Sequence, residues 1–312
     1  MTLTQLSYIV AVDRYRHFAT AAEKSYVTQP TLSMQIHKLE DELGITIFDR
    51  SKSPVIPTEI GKKVIKEAKE LLKQSKHIED LASLSEEELQ GTFRIGIIPT
   101  IAPYLLPLFL HSFMEKYPNV KLIFEEVVTD ELLQLLDEDH LDVGIIATPV
   151  KQGHIFEEDL YYEPFIGYIS ETHELAKKNK LTIDDLDIGN LWLLNEGHCF
   201  RDQTVKLCKK QRKEALDHSQ IEFESGNLET LKQLVEQNFG MTLLPFLAKN
   251  QLPERCIKAH LRYFEEPVPR RKVRMVYGRE YLKKNIIEAF MQQILAVIPE
   301  ELKKSEDGLL VE

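Results

Sequence analysis

With 312 residues, 43 % of them hydrophobic, the chain exceeds a typical single domain and is apolar enough to build real cores, which sets intrinsic disorder aside. The net charge is −11, but it is unevenly placed: residues 1–76 hold 12 Lys+Arg against 9 Asp+Glu, and residues 77–312 hold 27 against 41. An acidic body with a mildly basic head fits a DNA-binding module joined to something else. Residues 1–12 lack the basic start and long apolar stretch of a secretory signal, and the apolar runs at 95–98, 104–110 and 143–147 fall far short of a membrane span. The expectation is a cytoplasmic protein with no membrane partner. Three cysteines, Cys199, Cys208 and Cys256, make no secreted disulfide framework, and no C-x-x-C or H-x-x-x-H spacing calls for a metal or other cofactor.

In chain order, Leu6, Ile9, Val10 and Val12 form one apolar helical face, and Phe18, Ala21 and Ala22 a second. After the polar break at 25–28, Leu32, Ile36, Leu39 and Leu43 recur at spacings of four, three and four, so two helices meet at a short turn. Thr28 is placed to cap the second of these helices, Pro30 suits its first turn, and Gly44 supplies its stop. The polar face of this helix, with Gln29, Thr31, Ser33, Gln35 and Lys38 following the Pro30 turn, carries side chains suited to base edges and phosphates. An ordinary solvated face is the default for such a pattern. Arg50 and the Lys62-Lys63 step nearby favour DNA instead.

Residues 59–84 carry a seam of Val64, Ala68, Leu71, Ser75, Ile78 and Ala82, the pattern of a paired helix about 40 Å long. A surface helix lying on its own domain is the competing reading. A dimer is preferred because it presents two recognition helices to two half-sites. Residues 83–88 read as a hinge. From Thr92 the pattern alternates: strand at 93–98, helix at 103–117, strand at 122–127, helix at 131–138, buried strand at 143–147. Such alternation implies a parallel α/β sheet. A second unit starts near Phe165 and includes 191–194, a helix after Gly197, 221–223, 228–239 and the apolar run 240–245. The segments 273–277 and 281–298 return to the first unit, and residues after Pro299 read as a loose polar tail. Two such lobes enclose a cleft suited to a ligand.

The stretch Thr28-Gln29-Pro30-Thr31-Leu32-Ser33-Met34-Gln35-Ile36, with Leu39-Glu40, Leu43-Gly44 and Phe48-Asp49-Arg50, resembles the N-terminal signature of LysR-type transcriptional regulators, and 57–61 resembles that family's approach to its linker helix. The resemblance implies a winged helix-turn-helix over 1–58 with Arg50 in the wing, and a linker (dimerisation) helix and hinge over 59–88. It also implies a two-lobed, periplasmic-binding-protein-like regulatory domain over 89–312, with lobe I at about 92–163 and 268–299 and lobe II at about 164–267. It further implies a regulator rather than an enzyme, double-stranded promoter DNA as partner, and self-association into dimers and then tetramers. RNA polymerase and a thiol reductant such as glutaredoxin or thioredoxin follow as family-level partners.

Most regulators of this kind answer to small metabolites. Gly197-His198-Cys199-Phe200-Arg201-Asp202-Gln203, followed by Cys208, closely resembles the redox motif of the family's hydrogen-peroxide sensors. By that match Cys199 is the peroxidatic residue, Cys208 resolves it into a disulfide, and the protein controls oxidative-stress genes as an activator. The local chemistry agrees in kind: a peroxide-reactive sulfur must be a thiolate, Cys199 lies where a helix should start, and His198 and Arg201 are adjacent candidates for donors or positive charge. Thr100, Thr129 and Arg271 match further family positions for holding peroxide, with Asp202 a candidate to orient a cation or water. Helix capping is the plainer reading for the two threonines, and a small inert core residue is the plainer reading for each cysteine, retained here for Cys256. A metabolite-binding regulator with incidental cysteines is the main alternative, and a thiol peroxidase the second.

Overall fold

The computed structural model describes residues 1–82, 89–208, 225–278, 283–303 and 308–312. The expected hinge at 83–88, the segment 221–223 and the start of the helix expected from Tyr281 lie outside them. The chain divides into two compact units, residues 1–85 and 86–312.

In the first unit, α1 (Leu3–Tyr15) is opened by a capping box between Thr2 and Gln5, α2 (Phe18–Lys24) by His17, and α3 (Gln29–Leu43) by Thr28, whose hydroxyl accepts from the Thr31 amide. Gly44, at φ +66°, ends α3 in the left-handed conformation that the sequence assigned to it. The buried stripe Leu32, Ile36 and Leu39 packs with Leu6, Ile9, Val12, Ala21 and Ala22 into one core. Two short antiparallel strands, β1 (Phe48–Asp49) and β2 (Ile56–Pro57), form a wing, so this unit is helical apart from that ribbon.

Helix α4 (Glu59–Ala82) begins against the wing. The Gly61 amide donates to Thr58 Oγ1 at 2.9 Å, and a Cβ at Gly61 would stand 2.1 Å from the Ile47 carbonyl oxygen. The expected seam divides in two. Ala68, with Ile65, is buried in the unit's own core, whereas Leu71 and Ile78 are 47 % and 68 % exposed. Ala82 lies outside the described side chains. The first turns of α4 therefore belong to the helix-turn-helix body, and only the later turns leave an apolar stripe uncovered.

In the second unit, β3 (Gly91–Ile97), α5 (Ala102–Lys116), β4 (Val120–Glu126), α6 (Thr129–Asp137) and β5 (Val143–Ile146) follow as the alternation required, with β3 parallel to both β4 and β5. β6 (Phe156–Ile169) is long enough to serve two half-sheets. Later in the chain come β7 (Lys180–Leu181), α7 (Cys199–Leu207), α8 (Leu228–Glu236), β8 (Met241–Pro245), α9 (Glu254–His260), β9 (Leu261–Phe264), β10 (Pro269–Tyr277) and α10 (Lys284–Val297). The first part of β6, up to Pro164, pairs antiparallel with β10, which also pairs with β5. From Phe165 onward β6 pairs with β8. Leu191 and Leu194 make single bridges rather than a strand.

The described residues after Pro299 are not a loose tail. They form α11 (Glu300–Lys303) and β11 (Leu309–Leu310), which adds to β10 in parallel. Leu302 and Val311 are 1 % and 5 % exposed within the core. Polar composition hid two apolar anchors that the β10 edge can bury.

Gly61→Ala should strain the junction of α4 with the wing. Overpacking of this kind costs about 1–3 kcal/mol, which lowers the melting temperature of a unit this small by roughly 5 °C or more. Differential scanning calorimetry of the full chain checks it, and an unchanged transition would show that the α4–wing contact is not tight.

Candidate nucleic-acid interface and thiol site

On α3, Gln29, Pro30, Thr31 and Lys38 are exposed, while Ser33 and Gln35 are half-buried at the margin of the core. Gln5 Nε2 donates to Gln35 Oε1 at 3.2 Å, which holds that side chain by one end. Arg50, directly after β1, donates through Nη2 to Glu40 Oε2 at 2.8 Å and through Nη1 to Ser33 Oγ at 3.3 Å, with its guanidinium 5.0 Å from the Phe18 ring centre. The buried Glu40 also accepts from the Ile47 and Phe48 amides, at 2.7 and 3.2 Å. Sequence reading quoted Glu40 in a motif but gave it no task. Its task is to bolt the start of the wing to the recognition helix, and an acidic residue on the apolar side of a helix was the available signal.

In the second unit Cys199 is the first residue of α7, after Gly197 at φ +92° and His198 as the capping residue. The thiol is half-buried in a shallow recess lined by Pro99, Thr100, Thr129, His198 and Cys199. Thr100 ends the segment after β3 and Thr129 opens α6, so three chain segments distant in sequence meet here. Neither threonine caps a helix. Ile101 and Val128 occupy the capping positions without side-chain caps. Thr100 Oγ1 accepts from Arg271 Nη1 at 2.8 Å, and Thr129 Oγ1 is buried without a formed hydrogen bond.

Arg271, 1 % exposed, is the anchor of the site. Its Nε and Nη2 donate to Glu163 Oε2 at 3.0 and 2.7 Å, and Nη2 also donates to the Thr100 carbonyl at 2.9 Å. Glu163 Oε1 accepts from the Leu247 amide at 3.0 Å. Phe200 lies under the guanidinium at 4.9 Å and stacks on Phe165 at 5.0 Å. Arg271, rather than Arg270, therefore faces the threonine. Glu163 escaped sequence reading, although a carboxylate among Leu160, Tyr161, Tyr162, Pro164 and Phe165 was a signal for a buried ion pair.

Burial pushes the Cys199 thiol above its ordinary pKa, against the opposing pull of Arg271, the Thr129 hydroxyl and the Phe200 amide. The cationic neighbours expected from sequence adjacency do not act as expected. Burial lowers the His198 pKa, which keeps the ring neutral near pH 7, and Arg201 turns to Glu196 and Asp202 at 3.8 and 3.6 Å. Asp202 is 65 % exposed at its side chain, outside the lining of the recess, and its charge further raises the thiol pKa. Positive charge reaches Cys199 from β10 instead. The unpartnered Thr129 hydroxyl gains an acceptor when the sulfur ionises.

Cys208 closes the same helix as its C-terminal capping residue. Its Sγ donates to the Thr204 carbonyl at 3.3 Å, and burial, with Asp187 adding, pushes its pKa up to about 11. Both cysteines are free thiols. Cys256 is buried on α9 and is not part of the recess. Among the described residues no cluster of three or more His, Cys, Asp or Glu side chains could hold a metal, and no helix is long and apolar enough to cross a membrane.

Residues 3–62 match the bacterial regulatory helix-turn-helix protein model of the lysR family, and residues 86–299 match the LysR substrate binding domain. The chain belongs to the LysR family of bacterial transcriptional regulators. Within it, the chain sides with the hydrogen-peroxide-responsive regulators of the OxyR type. It is 33 % identical to a hydrogen peroxide-inducible genes activator of Haemophilus influenzae, over 99 % of this chain and 100 % of that one. It is 36 % identical to the DNA-binding transcriptional dual regulator OxyR of Escherichia coli K12, over 89 % of each. A full-length OxyR variant from Pseudomonas aeruginosa superposes with a TM-score of 0.74 at 34 % identity, covering 96 % of this chain and 99 % of that one.

The groups around Cys199 give opposite pH signatures. Asp202→Asn removes a group that raises the thiol pKa, so the midpoint of Cys199 alkylation by iodoacetamide should move to lower pH. Thr129→Val removes a group that lowers it, so the midpoint should move higher. Shifts in the same direction would show that general loosening of α7, rather than these two groups, governs the thiol.

Proposed function

We propose that this chain is a cytoplasmic transcriptional regulator that senses hydrogen peroxide through Cys199 and records it as a Cys199–Cys208 disulfide. The observation that supports this best is the placement of two free thiols at the two ends of one nine-residue helix, the first of them in a recess with Thr100, Thr129 and the charge of Arg271. In this reading residues 1–58 bind DNA, 59–88 link and dimerise, and 89–312 sense.

The chemistry starts when Cys199 loses its proton. The sulfur attacks one peroxide oxygen, the O–O bond breaks, an S–O bond forms, and the second oxygen leaves as hydroxide and takes a proton to become water. Cys208 sulfur then attacks Cys199 sulfur, the S–O bond breaks, the S–S bond forms, and the hydroxyl leaves as a second water. Two thiols have given two electrons to one peroxide. Because Thr100 Oγ1 accepts from Arg271, its own hydrogen is free to point into the recess and bind a peroxide oxygen. Four of the five guanidinium hydrogens are used in fixing this arrangement, so Arg271 acts mainly as charge and scaffold. A single oxidation per sensor, reset by a thiol reductant such as glutaredoxin or thioredoxin, makes this a switch rather than a turnover enzyme.

The disulfide and the helix exclude each other. Nine residues of α-helix rise about 13 Å, whereas a disulfide needs Cα atoms within ~7 Å. Oxidation therefore unwinds or reroutes α7, and the altered sensor surface reaches the DNA-binding heads through the assembly. The exposed Leu71 and Ile78 of α4 suit a helix pair that sets two α3 helices on two promoter half-sites, with tetramers and RNA polymerase as the further partners.

Thiol and DNA measurements both test this reading. Cys199→Ser should abolish peroxide-dependent change in DNA footprint, and Cys208→Ser should leave a Cys199 sulfenic acid that a dimedone-type probe traps. Thr100→Val should slow oxidation by on the order of tenfold or more. Sulfenic labelling that persists in the Cys199→Ser chain would remove Cys199 from its role. On the DNA side, replacing Lys62 or Lys63 should weaken binding to all sequences and reduce the salt dependence by about one ion. Replacing Gln29 should relax base preference at particular positions. Titrations at several salt concentrations on specific and random DNA separate the two, and equal losses throughout would count against α3 as the reading helix.

A further inference from the structure

Helix α7 is held from outside by more than its apolar face. Gln203, 1 % exposed, sits in its middle, and its Nε2 donates to the Ala147 carbonyl at 2.8 Å and to the Val311 carbonyl at 3.1 Å. Both partners are carbonyls, so the orientation of the amide is settled. One turn on, Lys206 Nζ donates to the Glu312 carbonyl. The segment 308–312 is thus gripped from two sides. On one side the Leu309 and Val311 amides donate to the Val268 and Arg270 carbonyls at 3.0 and 2.8 Å, and Arg274 pairs with Glu312. On the other side lies α7.

We propose that Gln203 is a positioning residue for disulfide formation. It clasps α7 to the 308–312 strand, so that closing the Cys199–Cys208 bond releases that strand, and the clasp sets the potential at which the pair oxidises. The inference rests on the reading that these two cysteines form the disulfide. Gln203 reaches Ala147 and Val311 only from the helical position between Cys199 and Cys208. Drawing the two ends of α7 from about 13 Å apart to within ~7 Å removes that position. Two buried carbonyls then lose their donor, and Lys206 loses its reach to residue 312. An interaction present in the dithiol state and absent in the disulfide state biases the equilibrium toward the dithiol by its full differential. The clasp therefore makes the sensor harder to oxidise and its disulfide easier to reduce. The thiol–disulfide balance itself is the one already given: two thiols to one disulfide, two protons and two electrons, with peroxide or the redox buffer as acceptor.

The test is a redox titration of the full chain in dithiothreitol and glutathione buffers, with the Cys199–Cys208 bond quantified by differential alkylation and mass spectrometry. Hydrogen exchange on 308–312 is followed in both states. Gln203→Met keeps the volume and removes the donor. It should raise the disulfide-to-dithiol ratio about tenfold, a shift of about 30 mV to more negative potential for a two-electron couple. Lys206→Met, at an exposed site, should shift it a few-fold in the same direction. The wild-type chain should gain exchange at 308–312 on oxidation. A role confined to general stability would weaken both redox states alike and leave the potential in place. An oxidised wild-type chain whose 308–312 amides stay as protected as in the reduced form, or unchanged potentials in the variants, overturns the clasp and leaves the disulfide reading intact. If peroxide yields no Cys199–Cys208 bond at all, the functional reading falls and the clasp falls with it.

Discussion

A guanidinium that is 1 % exposed is tolerable only if its charge and its hydrogens are answered, and Arg271 is answered by Glu163 and Thr100 together. That requirement organises the sensor unit. Glu163 lies on β6 one residue before Pro164, where pairing with β10 ends and pairing with β8 is about to begin. Its second oxygen holds the Leu247 amide just after β8. One carboxylate thus ties β10, β6 and the chain after β8, while the guanidinium it holds reaches across to the end of the β3 segment. Removing either member leaves the other charged and buried, at a cost of about 3–5 kcal/mol. The half-sheets, the threonine of the recess and the floor under Phe200 all depend on the pair.

The same pair explains why Cys199 rests as a thiol. Arg271 attracts the thiolate, but its charge is largely matched by Glu163, so burial wins and the pKa rises. A resting thiol reacts slowly with incidental oxidants, because the thiolate is the nucleophile. The groups that stabilise charge are nevertheless present: a hydroxyl on Thr129 with no acceptor, an amide at the start of α7, and the guanidinium. They gain most when negative charge appears on sulfur or on a departing peroxide oxygen, which is where pre-aimed donors accelerate a reaction rather than merely bind its starting state.

How much of this could be read from the sequence depended on whether the responsible residues were neighbours in the chain. Thr28, Pro30 and Gly44 act on the helix they flank, so the limits of α3 were legible, as were β3 to β5 from their alternation. The two cysteines and the helix between them were legible from one short motif. Adjacency misled at His198 and Arg201: one is neutralised by burial and the other turns to carboxylates, neither of which a neighbour in sequence reveals. Glu163 serves Arg271 from 108 positions away, and Glu40 serves Arg50 from the opposite side of a turn. The strand at 309–310 was missed because its stability comes from the β10 edge and from α7, while its own composition reads as tail. The α4 seam was half legible, since periodicity marks an apolar face without saying whether its own domain or a second copy covers it.

The last constraint is one of length. A helix short enough to hold Cys199 and Cys208 within ~7 Å already would let a disulfide form with little rearrangement, and oxidation would then carry no structural message. At nine residues the bond and the helix cannot coexist, so under the proposed chemistry oxidation forces a discrete choice between two folds of one segment. The opposing demand is that the reduced helix must not open unprompted. Its short length gives little intrinsic stability. The surroundings supply it: Phe200 between Phe165 and Arg271, Gln203 on two carbonyls, Leu207 in the core. Stability borrowed from neighbours would also be returned to them on release, and under the proposed switch that gives a local refolding reach beyond the helix in which it starts.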